Sequence, residues 1–141
     1  MSYLKQKSEQ NIIAAEFLIK EGLHAPSVHC SYYSSFQLTK HTLNSFFGIN
    51  YEEQESELNE LKQSKGAKGI GSHEYVINRF SGKLRDLSKN EYLSFNRNIK
   101  ELKAFRNQSD YFNKKVTSEQ SKRAYRLSEE IVGMLKKNCH V

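Results

Sequence analysis

The chain contains no tryptophan, a single proline (Pro26) and only two cysteines, Cys30 and Cys139, far apart in sequence. With one proline, long stretches can run as helix without a ring to break them. Two isolated thiols without CxxC spacing make neither a disulfide framework nor a zinc pattern, and they fit a reduced, cytoplasmic setting. No apolar run approaches the roughly 20 residues that a membrane-spanning helix needs. The opening MSYLKQKSEQ lacks the apolar core of a signal peptide. No segment shows the period-2 alternation of a half-buried strand. His24, His29, His41, His73 and His140 form no HExxH or Cys/His spacing, so neither a metal nor a cofactor is expected. There is no GxSxG, Walker or paired-carboxylate pattern to support common hydrolase chemistry.

What remains reads as helix. The 141 residues, 37 % hydrophobic and 27 % charged, are enough for one domain over 1–141 with its own core. Ser2 to Glu21 reads as a first helix, with Ile12, Ala15 and Ile19 as one stripe, Ile13 and Phe17 widening it, and Gly22 ending it. Pro26 opens a second helix that runs to Gly48. Val28, Tyr32, Thr39, Leu43 and Phe46 line one side, with Tyr33, Phe36 and Phe47 beside them, so it belongs at the centre of the core. Tyr51 to Lys62 reads as a short helix or an ordered loop. Gln63 to Gly71, QSKGAKGIG, reads as a flexible Gly/Lys connector, because it lacks the GxxxxGK[ST] pattern and a preceding strand. Ser72 is placed as the N-cap of a helix carrying Val76, Phe80, Leu84 and Leu87, with Gly82 weakening its middle. Thr117 and Gln120 have capping-box spacing, ahead of a last helix with Ala124, Leu127, Ile131 and Met134 on one face. The fold class is all-α, with four long helices and one or two short ones.

The net charge of +6 is spread over scattered lysines and arginines rather than an arginine-rich arm. It permits RNA, DNA or another anion as partner, and it fits a solvated basic surface equally well. The sharper lead lies between Tyr92 and Asn113, in the stretch LKAFRNQSDYF from Leu102 to Phe112. On a wheel of about 100° per residue, Leu102 centres an apolar face shared with Phe95, Ile99 and Phe105. Arg106 falls only about 40° from Leu102, so a guanidinium projects from the apolar face and must find a partner. Either that helix end opens into an anion-binding groove, or Asp110, four residues on, neutralises Arg106 internally. Tyr111 lies on the opposite side of the wheel, as a surface residue or a contact with another chain.

Two pieces of the chain together resemble the HEPN family. AAEFLIKEGLHAPSVHCSYYSSFQLTKHTL, from Ala14 to Leu43, is similar to the family's helix–turn–helix opening with its Tyr-Tyr motif. LKAFRNQSDYF is similar to the RNxADY ending of its penultimate long helix. The resemblance, from about Ser8 to Leu135, implies an up-and-down bundle of four to five helices, usually a homodimer with a shared cleft. Such proteins are often paired with a nucleotidyltransferase antitoxin and work on RNA. In nuclease members a motif of Arg, four to six residues, then His cleaves RNA without metal; Arg stabilises the phosphorane charge and His handles the 2′-hydroxyl proton. Carried over here, the catalytic positions are Arg106, Asn107, Asp110 and Tyr111. Tyr111 stands where the family has His, and phenols, which ionise near pH 10, are poor bases at neutral pH. Cys30 stands where relatives often carry Arg, and the neighbouring His29 is another source of imidazole. Tyr111 is also the tyrosine that a nucleotidyltransferase partner would modify. Two functions follow: a toxin-like or RNA-cleaving half of a two-gene system, or a non-catalytic module that binds a nucleotidyltransferase or a nucleotide.

Overall fold

The computed structural model describes residues 2–64 and 69–141, and all its regular structure is helical. The helices are α1 (Tyr3–Lys20), α2 (His24–Ser45), α3 (Tyr51–Gln63), α4 (Ser72–Leu87), α5 (Lys89–Tyr111) and α6 (Ser118–Cys139). Most starts are written locally. Ser2 Oγ accepts from the Lys5 N–H, Asn50 Oδ1 from Glu53, and Ser88 Oγ from Glu91. Thr117 and Gln120 close the expected capping box. Gly22, at φ +74°, lets its own N–H reach the Ile19 carbonyl and the Leu23 N–H reach Leu18, the Schellman closure of α1.

Some boundaries differ from the sequence reading. Tyr51–Gln63 is a full helix, so the described elements number six. Gly71, not Ser72, is the N-cap of α4, and it offers no side-chain cap. Helix α2 begins at His24, which places Pro26 within its first turn, where an N–H has no helical partner in any case. Ser88 alone joins α4 to α5 and caps the latter. Of the Gly/Lys connector, residues 65–68 lie outside the described residues, Gln63 ends α3 and Gly71 caps α4.

Hydrogen bonds between helices give the topology. Ser2 meets His41, Ser8 meets Ser34, and Ser27 meets Ala15, so α1 and α2 run antiparallel. His24 meets Ser121 and Ser31 meets Ser128, so α2 and α6 run parallel. Asn98 meets Glu130 and Glu101 meets Arg123, which makes α5 antiparallel to α6. Helix α2 packs on α1, α4, α5 and α6 and forms the centre, whereas α3 leans on α4. The core is built from Val28, Tyr32 and Leu43 of α2, Phe80 and Leu84 of α4, Phe95 and Leu102 of α5, and Leu127, Ile131 and Leu135 of α6.

Small hydroxyl residues meet where α2 packs on α1 and on α6. Ser8, Ser27, Ser31, Ser34, Ser35, Ser121 and Ser128 are all buried. Ser8 and Ser34 each donate to the other's carbonyl, at 2.6 and 2.8 Å, and Ser128 donates to the Ser31 carbonyl at 2.7 Å. Side chains this small let the backbones approach, and their protons satisfy the polar atoms that the approach buries. Helix α1 therefore buries a narrow stripe through Ser8 and Ala15. Ile13 and Phe17, expected to widen that stripe, are 68 % and 60 % exposed. Each lies about 160° from Ala15 on the wheel, away from α2. Phe46, expected in the α2 core face, lies past the end of that helix and is exposed.

Ser31 Oγ has no hydrogen-bond partner among the described residues. Its role is therefore size. Ser31→Ala is expected to be neutral or to stabilise the fold by up to about 1 kcal/mol, because it removes an unsatisfied buried hydroxyl without a change of shape. A urea-denaturation midpoint below that of the wild type would contradict this.

Candidate functional site

The antiparallel pairing of α2 with α5 brings the first turns of α2 against the last turns of α5. Arg106 sits there, and its side chain is only 11 % exposed. Leu102, one turn earlier, is fully buried and anchors that face of α5. The guanidinium is held from every side. Nε donates to Asp110 Oδ2 at 3.2 Å, and Nη1 to Asn107 Oδ1 at 3.4 Å. Nη2 donates to the phenol oxygens of Tyr33 and Tyr111, each at 3.1 Å. Cζ lies 5.1 Å from the ring centre of Tyr32, 5.6 Å from that of Tyr33 and 5.2 Å from that of Tyr111, within cation–π range. One carboxylate and three ring faces thus compensate the charge removed from water.

Asp110 serves two partners. Besides Arg106 it binds His29 of α2, whose Nδ1 lies 3.1 Å from Oδ1 and 3.0 Å from Oδ2. An ionised carboxylate has no proton to give, so His29 Nδ1 carries the hydrogen of this bond and, in the neutral ring, Nε2 carries the free lone pair. The His29 ring also packs on Tyr33 with centroids 4.6 Å apart. Ser109 Oγ lies 3.2 Å from Asp110 Oδ1 and 3.0 Å from the Arg106 carbonyl. An open cleft of about 430 Å³, lined by Ala25, Pro26, His29, Cys30, Ser109 and Asp110, borders the group. Burial pushes the Cys30 thiol up, which keeps it protonated beside that cleft.

Behind the guanidinium, Tyr32 is fully buried, and burial holds its phenol proton far above the ordinary range. Its hydroxyl is hydrogen-bonded to His73 Nδ1 at 3.0 Å, and the His73 ring stacks on Phe36 at 4.0 Å. Burial, then the charges of Arg106, Lys103 and Lys40, push the His73 imidazole down to about 4, so it is neutral at pH 7.

All four expected positions meet here. The internal partner anticipated for Arg106 is present, since Asp110 takes Nε. Tyr111 departs from the wheel: it is 67 % exposed, yet its hydroxyl turns back onto Arg106. It is the last residue of α5, and helical side chains lean toward the N-terminus, which carries a long phenol back over the preceding turn. Missed from the sequence were Tyr32 and Tyr33 as ligands of the guanidinium, His73 as the support of Tyr32, and the reach of His29. The spacing of His29 and Tyr33, four apart on α2, was the signal that could have placed them on one face.

Among the described residues no three His, Cys, Asp or Glu side chains gather as a metal site, and no helix is long and apolar enough to cross a membrane. No curated protein and no solved structure matches the chain. The family model described as HEPN domain matches residues 1–138, and it accords with the all-helical fold and the LKAFRNQSDYF turn: the chain belongs to the HEPN domain family.

Proposed function

We propose that this HEPN-family protein acts on RNA as a cytoplasmic homodimer. It would be the ribonuclease or toxin-like half of a two-gene system whose other half is a nucleotidyltransferase. Arg106 contacts a phosphate, Asn107 and Asp110 orient the guanidinium, and Tyr111 lies against it. The observation that supports this most is the fixed guanidinium at the end of α5, held by Asp110 and Tyr33 beside an open cleft. A cation held in place before substrate arrives stabilises developing phosphoryl charge without reorganising first. A phosphate oxygen would take over the donors now on Asn107 and on the exposed Tyr111. The net charge of +6 favours the encounter.

A second reading, a non-catalytic module that binds a nucleotidyltransferase or a nucleotide, draws support from the full internal pairing of Arg106. One experiment tests both. Purified protein is incubated with total cellular RNA in EDTA, wild type against Arg106→Ala and Arg106→Lys, each checked for folding by circular dichroism. The wild type is expected to cleave, and both variants to lose about 100-fold or more, since a lysine cannot reproduce the guanidinium fork. No cleavage by the wild type would remove the ribonuclease reading. RNA binding that weakens steeply with salt, with a shallower slope in Arg106→Ala, would still keep RNA as the ligand.

A further inference from the structure

The position where the family motif places its histidine is occupied by Tyr111, whose oxygen already accepts from Arg106. We propose that His29, from the other helix of the site, is the proton acceptor of the reaction, with Asp110 as its positioning residue. This inference rests on the ribonuclease reading above.

Three observations carry it. The Nδ1 of His29 is tied to both oxygens of Asp110, which sets the tautomer and leaves Nε2 as the free base. The side chain is 48 % exposed, so that nitrogen is reachable, whereas the Asp110 side chain is 18 % exposed and held in place. The same carboxylate binds Arg106 Nε at 3.2 Å, so one group sets the base and the phosphate-binding cation in register across two helices. In a carboxylate–imidazole pair the carboxylate orients the base, and the cation beside it faces the developing phosphoryl charge. Neither His24 nor His73 offers it. His24 Nδ1 is hydrogen-bonded to Ser121, and the partly buried His73 is stacked on Phe36 with its Nδ1 on Tyr32.

The step balances without an added reactant. His29 Nε2 takes the proton of an RNA 2′-hydroxyl, and the freed oxygen bonds to the adjacent phosphorus while Arg106 faces the phosphoryl oxygens. The bond from phosphorus to the 5′-oxygen breaks. The proton returns through solvent to that departing oxygen, leaving a 2′,3′-cyclic phosphate, a 5′-hydroxyl and a neutral His29. Tyr111, which gives up its place on Arg106 to the phosphate, is not the base.

The test uses His29→Asn, whose side-chain amide can still donate to Asp110 but has no basic nitrogen, together with His29→Ala. Single-turnover cleavage of a short RNA is followed against pH, with a copy carrying a single 2′-deoxy nucleotide at the cleaved position as control. His29→Asn is expected to bind RNA like the wild type, to cleave about 100-fold or more slowly, and to lose the acid limb of the rate profile; added imidazole should partly restore His29→Ala. The wild type should leave cyclic phosphate ends and spare the 2′-deoxy copy. If His29→Asn cleaves within about threefold of the wild type while Arg106→Ala is inactive, His29 is not the base and the ribonuclease reading stands alone. If the wild type itself cleaves nothing, both fall together.

Discussion

Tyr32→Ala should be the most damaging single truncation in the bundle, costing about 3–5 kcal/mol of folding stability. Tyr32 is fully buried, its ring lies parallel to those of Phe36 and His73, and it forms the inner face of the cage around Arg106. Removal of the ring opens a cavity and strips one of three aromatic faces from a guanidinium that is almost out of water. Tyr32→Phe separates the two contributions, because it keeps the ring and loses only the hydroxyl bonded to His73; it should cost about 1 kcal/mol. Urea denaturation of both variants is the measurement. A Tyr32→Ala midpoint no lower than that of Tyr32→Phe would mean that the ring is not central to the packing.

The second large effect is acid sensitivity. His73 titrates near the ordinary 6.5 in the unfolded chain but only at about 4 in the folded protein. Between those values the unfolded state takes up a proton that the folded state refuses, so falling pH favours unfolding. The contribution of a neutral His73 is fully present above about pH 6.5 and is lost as pH drops toward 4, by about 2–3 kcal/mol once partial access to water is allowed for. His41, pushed down by burial and then by Lys5, acts in the same direction. Glu57 and Glu101 are each held below the usual carboxylate range by an arginine, so their contributions are lost only at still lower pH. His73→Phe keeps a ring against Phe36 and removes the titration. Its stability should change much less between pH 6.5 and 4.5 than that of the wild type, whatever its constant offset, and an unchanged slope would clear His73 of the effect.

The acid effect and the arginine site share one cause: α2 lies close enough to α4 and α5 for their polar side chains to meet inside the bundle. The equally close packing of α2 on α1 and α6 was hard to read from sequence. Serines count as polar in a periodicity argument, so the stripe of Ser27, Ser31, Ser34 and Ser35 on α2 hid how completely the helix is enclosed. The large apolar pair Ile13 and Phe17 suggested a broad buried face on α1 where the chain uses Ser8 and Ala15. Hydrophobicity predicts which residues prefer to leave water; it does not predict where two backbones come close enough to need small ones.

By itself the sequence determined five of the six described helices and several of their ends, because caps, glycine stops and the 3.6-residue period act between residues a few positions apart. It also offered the Arg106–Asp110 pair, one turn of helix apart, as one of two pairings for that guanidinium. Only the tertiary structure decided what else surrounds that pair. Tyr33 stands 73 residues from Arg106, and His29 stands 81 from Asp110. Their meeting depends on the register of α2 against α5, and that register is set by packing across the whole bundle and not by any local signal.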